Sequence, residues 1–374
     1  MLLIPYAPYY PLYNKNIPEI RVRSTFNKTA IRKTQLPANP TKMKERREFL
    51  KQLAGLTAGM VLPYGAFSNI KAEKSDKWGE LLPQRKLGGT GDYVTMLGLG
   101  GFHIGGSMDE KESQRTIEAA MEGGVRFFDT AESYQRGESE RRFGKFLVPK
   151  YRDEVFIMSK STARDAETAR QHLEGSLRRM KVDRIDLWQV HSLRNPEDVD
   201  NRIQNGVVDV FREAMETGKV RYIGFTGHVD PDAHVRMQKE FENLFHTIQI
   251  PINPVDAASD NSFIHKVIPT AVKRNTGLLA MKTLADGRFF AEKERVGWTS
   301  ENPVVPDHIT IRDCLNFAWS LPISVLITGP DNADMLREKI QIANDFEKLN
   351  DRQREDIVSR VQEFANGEVE YYKR

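Results

Sequence analysis

The chain has 374 residues, of which 55 are Lys or Arg, 52 are Asp or Glu and one is Cys, and its formal net charge is +3. The single cysteine, Cys314, excludes an internal disulfide, a zinc site built on cysteines and an iron–sulfur cluster within this chain. The charge is uneven: residues 1–51 hold 11 basic and 3 acidic side chains, whereas residues 69–374 carry a net charge of −5, which argues against a nucleic-acid-binding body.

The first part of the basic leader, residues 1–42, has no pattern of a folded segment. It contains six prolines and shows neither helical nor strand periodicity. We expect translation to begin at Met43, so that residues 1–42 lie upstream of the true start. The alternative is a natural extension that is disordered because it cannot bury enough apolar surface.

The second part of the leader, residues 43–68, has the pattern of an export signal. The pair Arg46-Arg47 precedes Phe49-Leu50-Lys51, and the uncharged stretch that follows ends in small residues. The segment resembles a twin-arginine (Tat) signal peptide, with Glu45 where Ser or Thr is usual. This implies the Tat machinery as a partner, cleavage after residue 68 and a periplasmic product. The apolar stretch is too short for a stable span of about 20 residues. The alternative is an amphipathic helix on a cytoplasmic protein.

After a linker at residues 69–82, short β-branched runs alternate with amphipathic segments over residues 83–374. A β-hairpin is predicted around Gly89-Thr90-Gly91-Asp92. Eight strands alternating with helices favour an α/β fold, a (β/α)8 TIM barrel with this N-terminal hairpin and a C-terminal helix. A doubly wound sheet requires GxGxxG after its first strand, and residues 98–103 lack the third glycine. Strands are predicted at residues 94–99, 125–129, 155–160, 185–190, 220–226, 247–250, 277–282 and 324–328, and helices at 110–122, 166–181, 207–215, 263–273, 309–319, 335–346 and 350–364.

Polar side chains lie at the ends of three consecutive predicted strands. Asp129 ends the second strand, Lys160 ends the third, His191 follows the fourth, and Tyr134 lies in a loop five residues after Asp129. Active sites of such barrels lie where strands end and loops begin, so we expect these four residues, called the tetrad below, to converge on one rim. Each residue alone has a structural explanation, but the joint pattern indicates catalysis.

The tetrad, in this chain order, resembles that of the aldo-keto reductases. Asp129-Thr130-Ala131-Glu132-Ser133-Tyr134, followed by Gly137-Glu138-Ser139-Glu140, is similar to the family's signature, and the likeness covers about residues 85–342. The resemblance implies hydride transfer between a nicotinamide cofactor and an aldehyde or ketone. It implies a small-molecule carbonyl substrate and favours NADP as the cofactor, with NAD possible. An alternative is a nicotinamide-binding regulatory or accessory protein on the same barrel with little turnover.

The tetrad side chains account for the expected chemistry. A tyrosine with a pKa near 10 is a poor acid at neutral pH, so we expect the Lys160 ammonium to lower the pKa of Tyr134 by stabilising the phenolate. Asp129 is expected to pair with Lys160, and His191 to hydrogen-bond the substrate's carbonyl oxygen. Tyr134 then acts as general acid in reduction and as general base in oxidation.

Cofactor contacts are expected on the first strand end and on the later strands, as the resemblance implies. Met281 stands where many family members stack an aromatic ring on the nicotinamide, and its sulfur can pack against that ring. Lys282 is either a phosphate ligand or a solvated residue. Arg337 or Lys339 is a candidate for the 2′-phosphate of NADP. The predicted cofactor-binding residues are Gly101, Thr226, Gly227, Gln249, Met281, Lys282, Leu284, Gly329, Asn332 and Glu338.

Other features carry weaker signals. His103 is expected to line the substrate mouth, while His228 and His234 are interpreted as polar surface residues. No metal site and no nucleic-acid-binding stripe are predicted. Residues 292–307 lack periodicity and are predicted to form a loop over the site, where such loops set substrate choice.

Overall fold

A computed structural model of the chain describes residues 72–287, 289, 293–295, 298–300 and 308–373. The predicted leader of residues 1–68 lies outside these residues. So does most of the predicted loop at residues 292–307, of which two short antiparallel strands, Lys293–Arg295 and Trp298–Ser300, are described. Within the described ranges, no helix combines the length and apolarity needed to cross a membrane.

Eight parallel strands close into a barrel, which confirms the predicted (β/α)8 architecture. Each strand pairs with the next one along the chain, and the last pairs with the first, since Leu326 lies opposite Leu97 and Thr328 opposite Leu99. The strands are Leu97–Gly100 (β1), Phe127–Asp129 (β2), Phe156–Ser161 (β3), Ile185–Val190 (β4), Val220–Thr226 (β5), Thr247–Pro251 (β6), Gly277–Met281 (β7) and Val325–Thr328 (β8).

Helices follow the strands and cover the outside of the barrel. Three helices that the periodicity did not predict begin with proline in their first turn. They follow Asn195, Asp230 and Asn253, whose side chains accept backbone N–H bonds as N-caps. The α-helices run over Glu110–Glu122, Glu138–Arg142, Val148–Tyr151, Ala166–Met180, Pro196–Gln204, Val207–Glu216, Pro231–Glu240, Pro254–Ala258, Phe263–Lys273, Ile311–Trp319, Ala333–Asn344 and Asp351–Val361.

Apolar side chains fill the barrel interior. Each contributes roughly 1.5–3 kcal/mol when fully buried, and together they make the interior a packed core rather than a pore. A ligand of this barrel therefore binds at a rim, among the loops. The interior cluster comprises Leu87, Val94, Phe127, Met158, Leu187, Leu279, Val325 and Ile327.

A two-stranded hairpin supplies Leu87 and Val94 to this cluster and so closes the amino-terminal end of the barrel. Gln84–Lys86 pairs antiparallel with Tyr93–Thr95. The single strand predicted at residues 94–99 is therefore two strands with different partners. The chain leaves the hairpin at Met96, whose N–H donates to Pro83 O over 2.8 Å, before β1 begins.

Residues 72–82, which the sequence analysis assigned to a linker, pack against the barrel. The guanidinium of Arg126 donates two hydrogen bonds to the Asp76 carboxylate, at 2.6 and 2.9 Å. These hydrogen bonds, outweighing partial burial, hold the pKa of Asp76 below its ordinary value. Trp78 packs edge-on against Tyr151, with ring centroids 4.8 Å apart. The described part of this segment is thus tied to the second strand and to the helical segment that follows it.

Residues 370–373, called the C-terminal brace below, lie on three loops at the carboxyl-terminal end of the barrel. The brace contacts His228 in the loop after β5, Asn253 and Asp256 after β6, and Asp286 after β7. These contacts join the loops after β5, β6 and β7, of which the first and the third carry predicted cofactor contacts.

Candidate active site

The tetrad residues lie together at the carboxyl-terminal rim of the barrel. Asp129 is the last residue of β2, Lys160 lies one residue before the end of β3, and His191 directly follows β4, with its N–H donating to Ser161 O over 2.8 Å. Parallel strands present their carboxyl ends on the same side. Adjacent strands therefore bring these three side chains to one edge.

A strained turn after β2 carries the fourth residue, Tyr134. The two residues that follow, Gln135 and Arg136, adopt left-handed backbone angles with φ of 45° and 55°, and Gly137 has φ of 82°. Such angles cost non-glycine residues of order 1–3 kcal/mol each and persist where the surrounding structure imposes them. The Tyr134 hydroxyl lies beside the Lys160 ammonium, directly before this turn.

Lys160 is the centre of the tetrad's hydrogen-bond network. Its ammonium donates to the Asp129 carboxylate, to Thr130 O over 2.8 Å and to the Tyr134 hydroxyl oxygen over 3.1 Å. The Tyr134 and His191 rings face each other nearly at right angles, with centroids 5.8 Å apart. The structure thus brings all four predicted residues into one connected group.

Burial sets the charges of the Asp129–Lys160 pair, since both side chains are almost fully enclosed. Burial alone would lower the pKa of Lys160, but the attraction of Asp129 and Tyr134 outweighs it and raises that pKa above its ordinary value. Burial raises the pKa of Asp129, and the Lys160 ammonium opposes this rise. Lys160 therefore remains an ammonium at neutral pH, held in place by its partner.

The pKa of Tyr134 shifts in the direction opposite to the sequence prediction. Burial raises it, the Lys160 ammonium lowers it in part, and the negative charge of Asp129 raises it again, so the net shift is upward. The predicted effect of the Lys160 ammonium is present, but the prediction left out the loss of water around the phenol, which outweighs that effect. Tyr134 consequently keeps its proton throughout the neutral range.

His191 is neutral in this site. Burial, followed by repulsion from Lys160, His228 and Arg202, lowers the pKa of His191 well below its ordinary value. A neutral imidazole has one donor and one acceptor nitrogen. Nδ1 of His191 is buried without a hydrogen-bond partner among the described residues.

Three of the predicted cofactor contacts lie on or directly after the neighbouring strands β5 and β6. Thr226 ends β5, and Gln249 is a buried β6 residue whose side-chain oxygen has no hydrogen-bond partner among the described residues. A Cβ at Gly227 would lie 2.5 Å from Leu193 O, so only glycine fits there. An unsatisfied buried amide oxygen costs free energy unless a ligand group donates to it, and a carboxamide can do so.

Gly101 follows β1 and is enclosed by the chain itself. Its N–H donates to Asp129 O over 2.6 Å, and a Cβ would lie 2.5 Å from Ser139 Oγ. The absence of a side chain at Gly101 thus lets the first and second strand ends approach each other. Its role as a cofactor ligand stays a prediction.

The predicted contacts after β7 lie beside the C-terminal brace. Met281 is the half-buried last residue of β7, and Leu284 packs against the main core. Lys282 has φ of 57°, and its ammonium lies 3.5 Å from the Asp286 carboxylate and 5.7 Å from the ring centre of Tyr372. Lys282 thus lies on the rim against Asp286 and the C-terminal brace, and its role as a phosphate ligand stays a prediction.

The predicted contacts after β8 lie in different surroundings. Gly329 is exposed in the loop, next to the His103 ring. Asn332 is the N-cap of helix Ala333–Asn344 and accepts the Met335 N–H over 2.9 Å. Glu338 is exposed on the same helix, in a groove it shares with the helix that begins at residue 311. The structure does not bring Glu338 to the tetrad, and its role stays a prediction.

Sequence reasoning missed an aromatic side chain at the site. Phe102 is 49% exposed, and its ring lies edge-on to Tyr134 with centroids 5.3 Å apart. An exposed phenylalanine thus presents apolar surface beside the tetrad. The residue stands between Gly101 and His103, just beyond the end of the first predicted strand, and that position is the signal that could have identified it.

The interpretation of two histidines needs correction. His234 is fully buried between Phe225 and Phe263, and burial lowers its pKa to about 4. His228 is half-buried against the C-terminal brace, and burial lowers its pKa to about 4 as well. In the parts of the chain that the structure describes, no group of three or more His, Cys, Asp or Glu side chains is placed to hold a metal ion.

Comparison with known proteins supports the family resemblance that the sequence motifs indicated. The model of the Aldo/keto reductase family matches residues 96–357. Aldo-keto reductase YhdN of Bacillus subtilis (strain 168) is 32% identical over 216 residues, which are 53% of this chain and 61% of that relative. L-galactose dehydrogenase of Arabidopsis thaliana is 29% identical over 157 residues, which are 38% of this chain and 48% of that relative. The chain thus spans less than two thirds of either relative's length.

A solved structure shows the same fold. Aldo-keto reductase AKR11C1 from Bacillus halodurans, in its holo form, superposes with a TM-score of 0.62 at 20% identity, over 75% of this chain and 96% of that one. At this identity the likeness carries the fold alone, whereas the family match extends over most of the chain. The chain belongs to the aldo/keto reductase family, whose members are oxidoreductases that generally use NAD(P)H.

Proposed function

We propose that the chain is a carbonyl reductase that converts an aldehyde or ketone to an alcohol, and can run in reverse, with Tyr134 as general acid and base. The observation that carries this proposal is the Lys160 ammonium, which lies 3.1 Å from the Tyr134 oxygen and is paired with buried Asp129. When bound, a nicotinamide dinucleotide supplies the hydride.

Each tetrad residue has a distinct role in reduction. Tyr134 donates its hydroxyl proton to the carbonyl oxygen as that oxygen becomes an alkoxide, which is a stronger base than the phenolate left behind. Lys160 stabilises the phenolate that remains, and Asp129 holds the ammonium in place. Neutral His191 donates a hydrogen bond from one ring nitrogen to the same oxygen and so orients the substrate.

The residues present fit a nicotinamide dinucleotide. The unpartnered oxygen of Gln249 suits the amide N–H of the carboxamide, and Lys282 supplies a cation on the rim for the diphosphate. The resemblance alone favoured NADP(H). Arg337, a candidate ligand for its 2′-phosphate, is paired with Asp334 over 2.8 Å.

Replacement of Tyr134 by phenylalanine tests the reaction. Oxidation of the reduced nucleotide is followed with a panel of aliphatic, aromatic and sugar carbonyls, since one relative is named an L-galactose dehydrogenase. We expect kcat to fall by roughly 10²–10⁴-fold while dinucleotide binding is retained. Tyr222→Phe, on β5 at the opposite end of the barrel interior, is the matched control. Tight nucleotide binding with no turnover, unchanged by Tyr134→Phe, would instead indicate an accessory protein.

We further propose that the protein is exported by the Tat machinery to the periplasm. The support is the sequence of residues 43–68, in which Arg46-Arg47 precedes Phe49-Leu50-Lys51 and an uncharged stretch. Residues 43–69 fused to a Tat-dependent reporter should direct its export, and Arg46→Lys with Arg47→Lys should abolish it. Export that survives this double substitution, or no export by the native segment, would contradict the proposal.

A further inference from the structure

His228 lies on the rim between the tetrad and Lys282. The order of strands around the barrel places the end of β4, which carries His191, next to the end of β5, which His228 follows by two residues, and β7 with Lys282 comes after β6. The ring of Tyr372 in the C-terminal brace is 5.9 Å from the His228 ring centre, and it lies 5.7 Å from the Lys282 ammonium. His228 therefore stands where the proton-transfer side of the rim meets the predicted cofactor contacts.

The C-terminal brace determines which ring nitrogen of His228 carries the proton. Nδ1 of His228 lies 3.3 Å from the carbonyl oxygen of Tyr372, and a carbonyl oxygen can only accept a hydrogen bond, so Nδ1 is the donor. Burial, followed by repulsion from Lys282, lowers the pKa of His228 to about 4, so the ring carries a single proton at neutral pH. The other nitrogen, Nε2, is therefore a hydrogen-bond acceptor.

Tyr372, which orients His228, is itself held by hydrogen bonds. Its side chain is buried, and its hydroxyl accepts from the Asn253 amide over 2.9 Å and donates to the Glu370 carboxylate over 3.0 Å. The same Asn253 amide lies 3.4 Å from the carbonyl oxygen of Lys282, to which it also donates. These bonds tie the brace to the loops after β6 and β7. The carbonyl that fixes the His228 ring is thus part of a connected network and not of a loose chain end.

Two hydrogen-bond acceptors without donors face this part of the rim. Nε2 of His228 has no partner among the described residues and is not one of their enclosed polar atoms, so it faces open space. The second is the buried side-chain oxygen of Gln249, which also has no partner among the described residues. Gln249 on β6 lies opposite Thr226 on β5, two residues before His228. One amide nitrogen donates two hydrogen bonds, so a single primary amide can satisfy both acceptors.

We propose that His228 is a cofactor-binding residue, whose Nε2 accepts one amide N–H of the nicotinamide carboxamide while the Gln249 oxygen accepts the other. This inference rests on the proposed use of a nicotinamide dinucleotide, and it gives His228 a role that the sequence analysis did not predict. Two hydrogen bonds to one amide fix the rotation of the nicotinamide ring, and so determine which of its faces is turned toward Tyr134. A single bond from Gln249 would leave that rotation less restricted.

A nucleotide without amide donors tests this contact by binding alone. The 3-acetylpyridine analogue has a methyl group in place of the amide nitrogen, so it keeps the carbonyl oxygen and loses both N–H donors. Dissociation constants are measured by titration calorimetry for the reduced natural nucleotide, NADPH or NADH, whichever binds more tightly, and for its reduced analogue. The proteins are the wild type and His228→Phe, which keeps an aromatic ring beside Tyr372 and removes the acceptor nitrogen.

We expect His228→Phe to weaken binding of the natural nucleotide about tenfold, because one amide N–H loses its acceptor. Binding of the analogue should change less than about twofold. His246→Phe is the matched control, since His246 directly precedes β6 at the opposite end of the barrel, and it should change neither dissociation constant.

The outcomes separate this inference from the proposed function. An equal loss for the natural nucleotide and its analogue would mean that His228→Phe acts through the structure of the rim, and unchanged binding of the natural nucleotide would mean that no contact exists. Either result overturns the inference and leaves the reductase proposal intact. If the wild type binds neither NADPH nor NADH, the proposed function itself fails, and the inference fails with it.

Discussion

Replacing Asp129 by asparagine removes the anion that holds Lys160 as an ammonium in a site where Lys160 is 1% exposed. Removing one partner of a buried ion pair costs about 3–5 kcal/mol of folding free energy. This cost cannot exceed the free energy of deprotonating Lys160, because the variant can bury a neutral amine instead of an unpaired ammonium. From an ordinary pKa of about 10.4, deprotonation near pH 7 costs about 4.6 kcal/mol, at 1.36 kcal/mol per unit. We therefore expect Asp129→Asn to lower the free energy of unfolding by about 3–5 kcal/mol near pH 7.

The pH dependence of this loss identifies its cause. In the variant, the pKa of Lys160 in the folded state falls below that in the unfolded chain, so the unfolded chain binds more protons and stability rises with pH. Between that lowered pKa and about 10.4 the loss shrinks by up to about 1.4 kcal/mol per pH unit. In the wild type, where Asp129 raises the pKa of Lys160, the pair's contribution is complete below about pH 10.

Urea unfolding followed by circular dichroism, near pH 7 and near pH 9.5, measures the loss. The double variant Asp129→Asn with Lys160→Met should recover part of the lost stability, because it removes the unpaired charge. Asp209→Asn, at an exposed ion pair with Arg212, is the control and should change stability little at either pH. An equal loss at both pH values, with no recovery in the double variant, would refute the reasoning that an unpaired ammonium is responsible.

Three further predictions concern the same rim. Phe102→Ala should raise KM about 2–10-fold for carbonyls with an apolar skeleton while kcat changes little, as the loss of an aromatic contact of about 0.5–1.5 kcal/mol implies; an unchanged KM across the panel would remove Phe102 from the substrate site. The pH profile of kcat/KM should show no limb from His191 between about pH 5.5 and 7, because burial lowers its pKa well below 6.5; an inflection near pH 6.5 that disappears in His191→Asn would contradict this. Burial raises the pKa of Glu370 from 4.5 to about 7, so the folded state keeps a proton that the unfolded chain loses, and stability should fall by up to about 3 kcal/mol as pH rises through that interval; Glu370→Gln should flatten this dependence of the Tm, and an identical pH profile in the variant would show that Glu370 is not the group.

The strands and the positions of the tetrad residues were predictable because the strands of a parallel barrel leave a recognisable pattern of apolar and polar residues in the sequence. A strand covered on both faces is a short apolar run, and β4 was predicted with its observed bounds at residues 185–190. A polar residue at the end of such a run marks the rim. The strand prediction failed at Met96, where the chain changes its partner strand within a continuous apolar run. Periodicity indicates which residues are buried, and it does not indicate which strands pair.

Three helices had a start signal in the sequence that the periodicity did not show, whereas two features of the rim have no local sequence signal. The helices after Asn195, Asp230 and Asn253 each begin with a cap residue followed by proline, which is a readable start signal even where apolar periodicity is weak. The contact of His228 with Tyr372 and the sign of the Tyr134 pKa shift have no local signal. Both depend on distant residues and on burial, which only the folded chain provides.

The C-terminal brace also has a consequence for the order of folding. Its contacts with the loops after β5, β6 and β7 join residues 85 to 144 positions apart in the chain. Closing such long loops is entropically costly, so contacts of this separation form late. The tetrad is assembled from β2 to β4, and its contacts span 26 to 31 positions around Lys160 and 57 positions between Tyr134 and His191. The proton-transfer half of the rim can therefore be complete while the cofactor half is still being assembled, and a nucleotide that binds the finished loops would drive this last step by mass action.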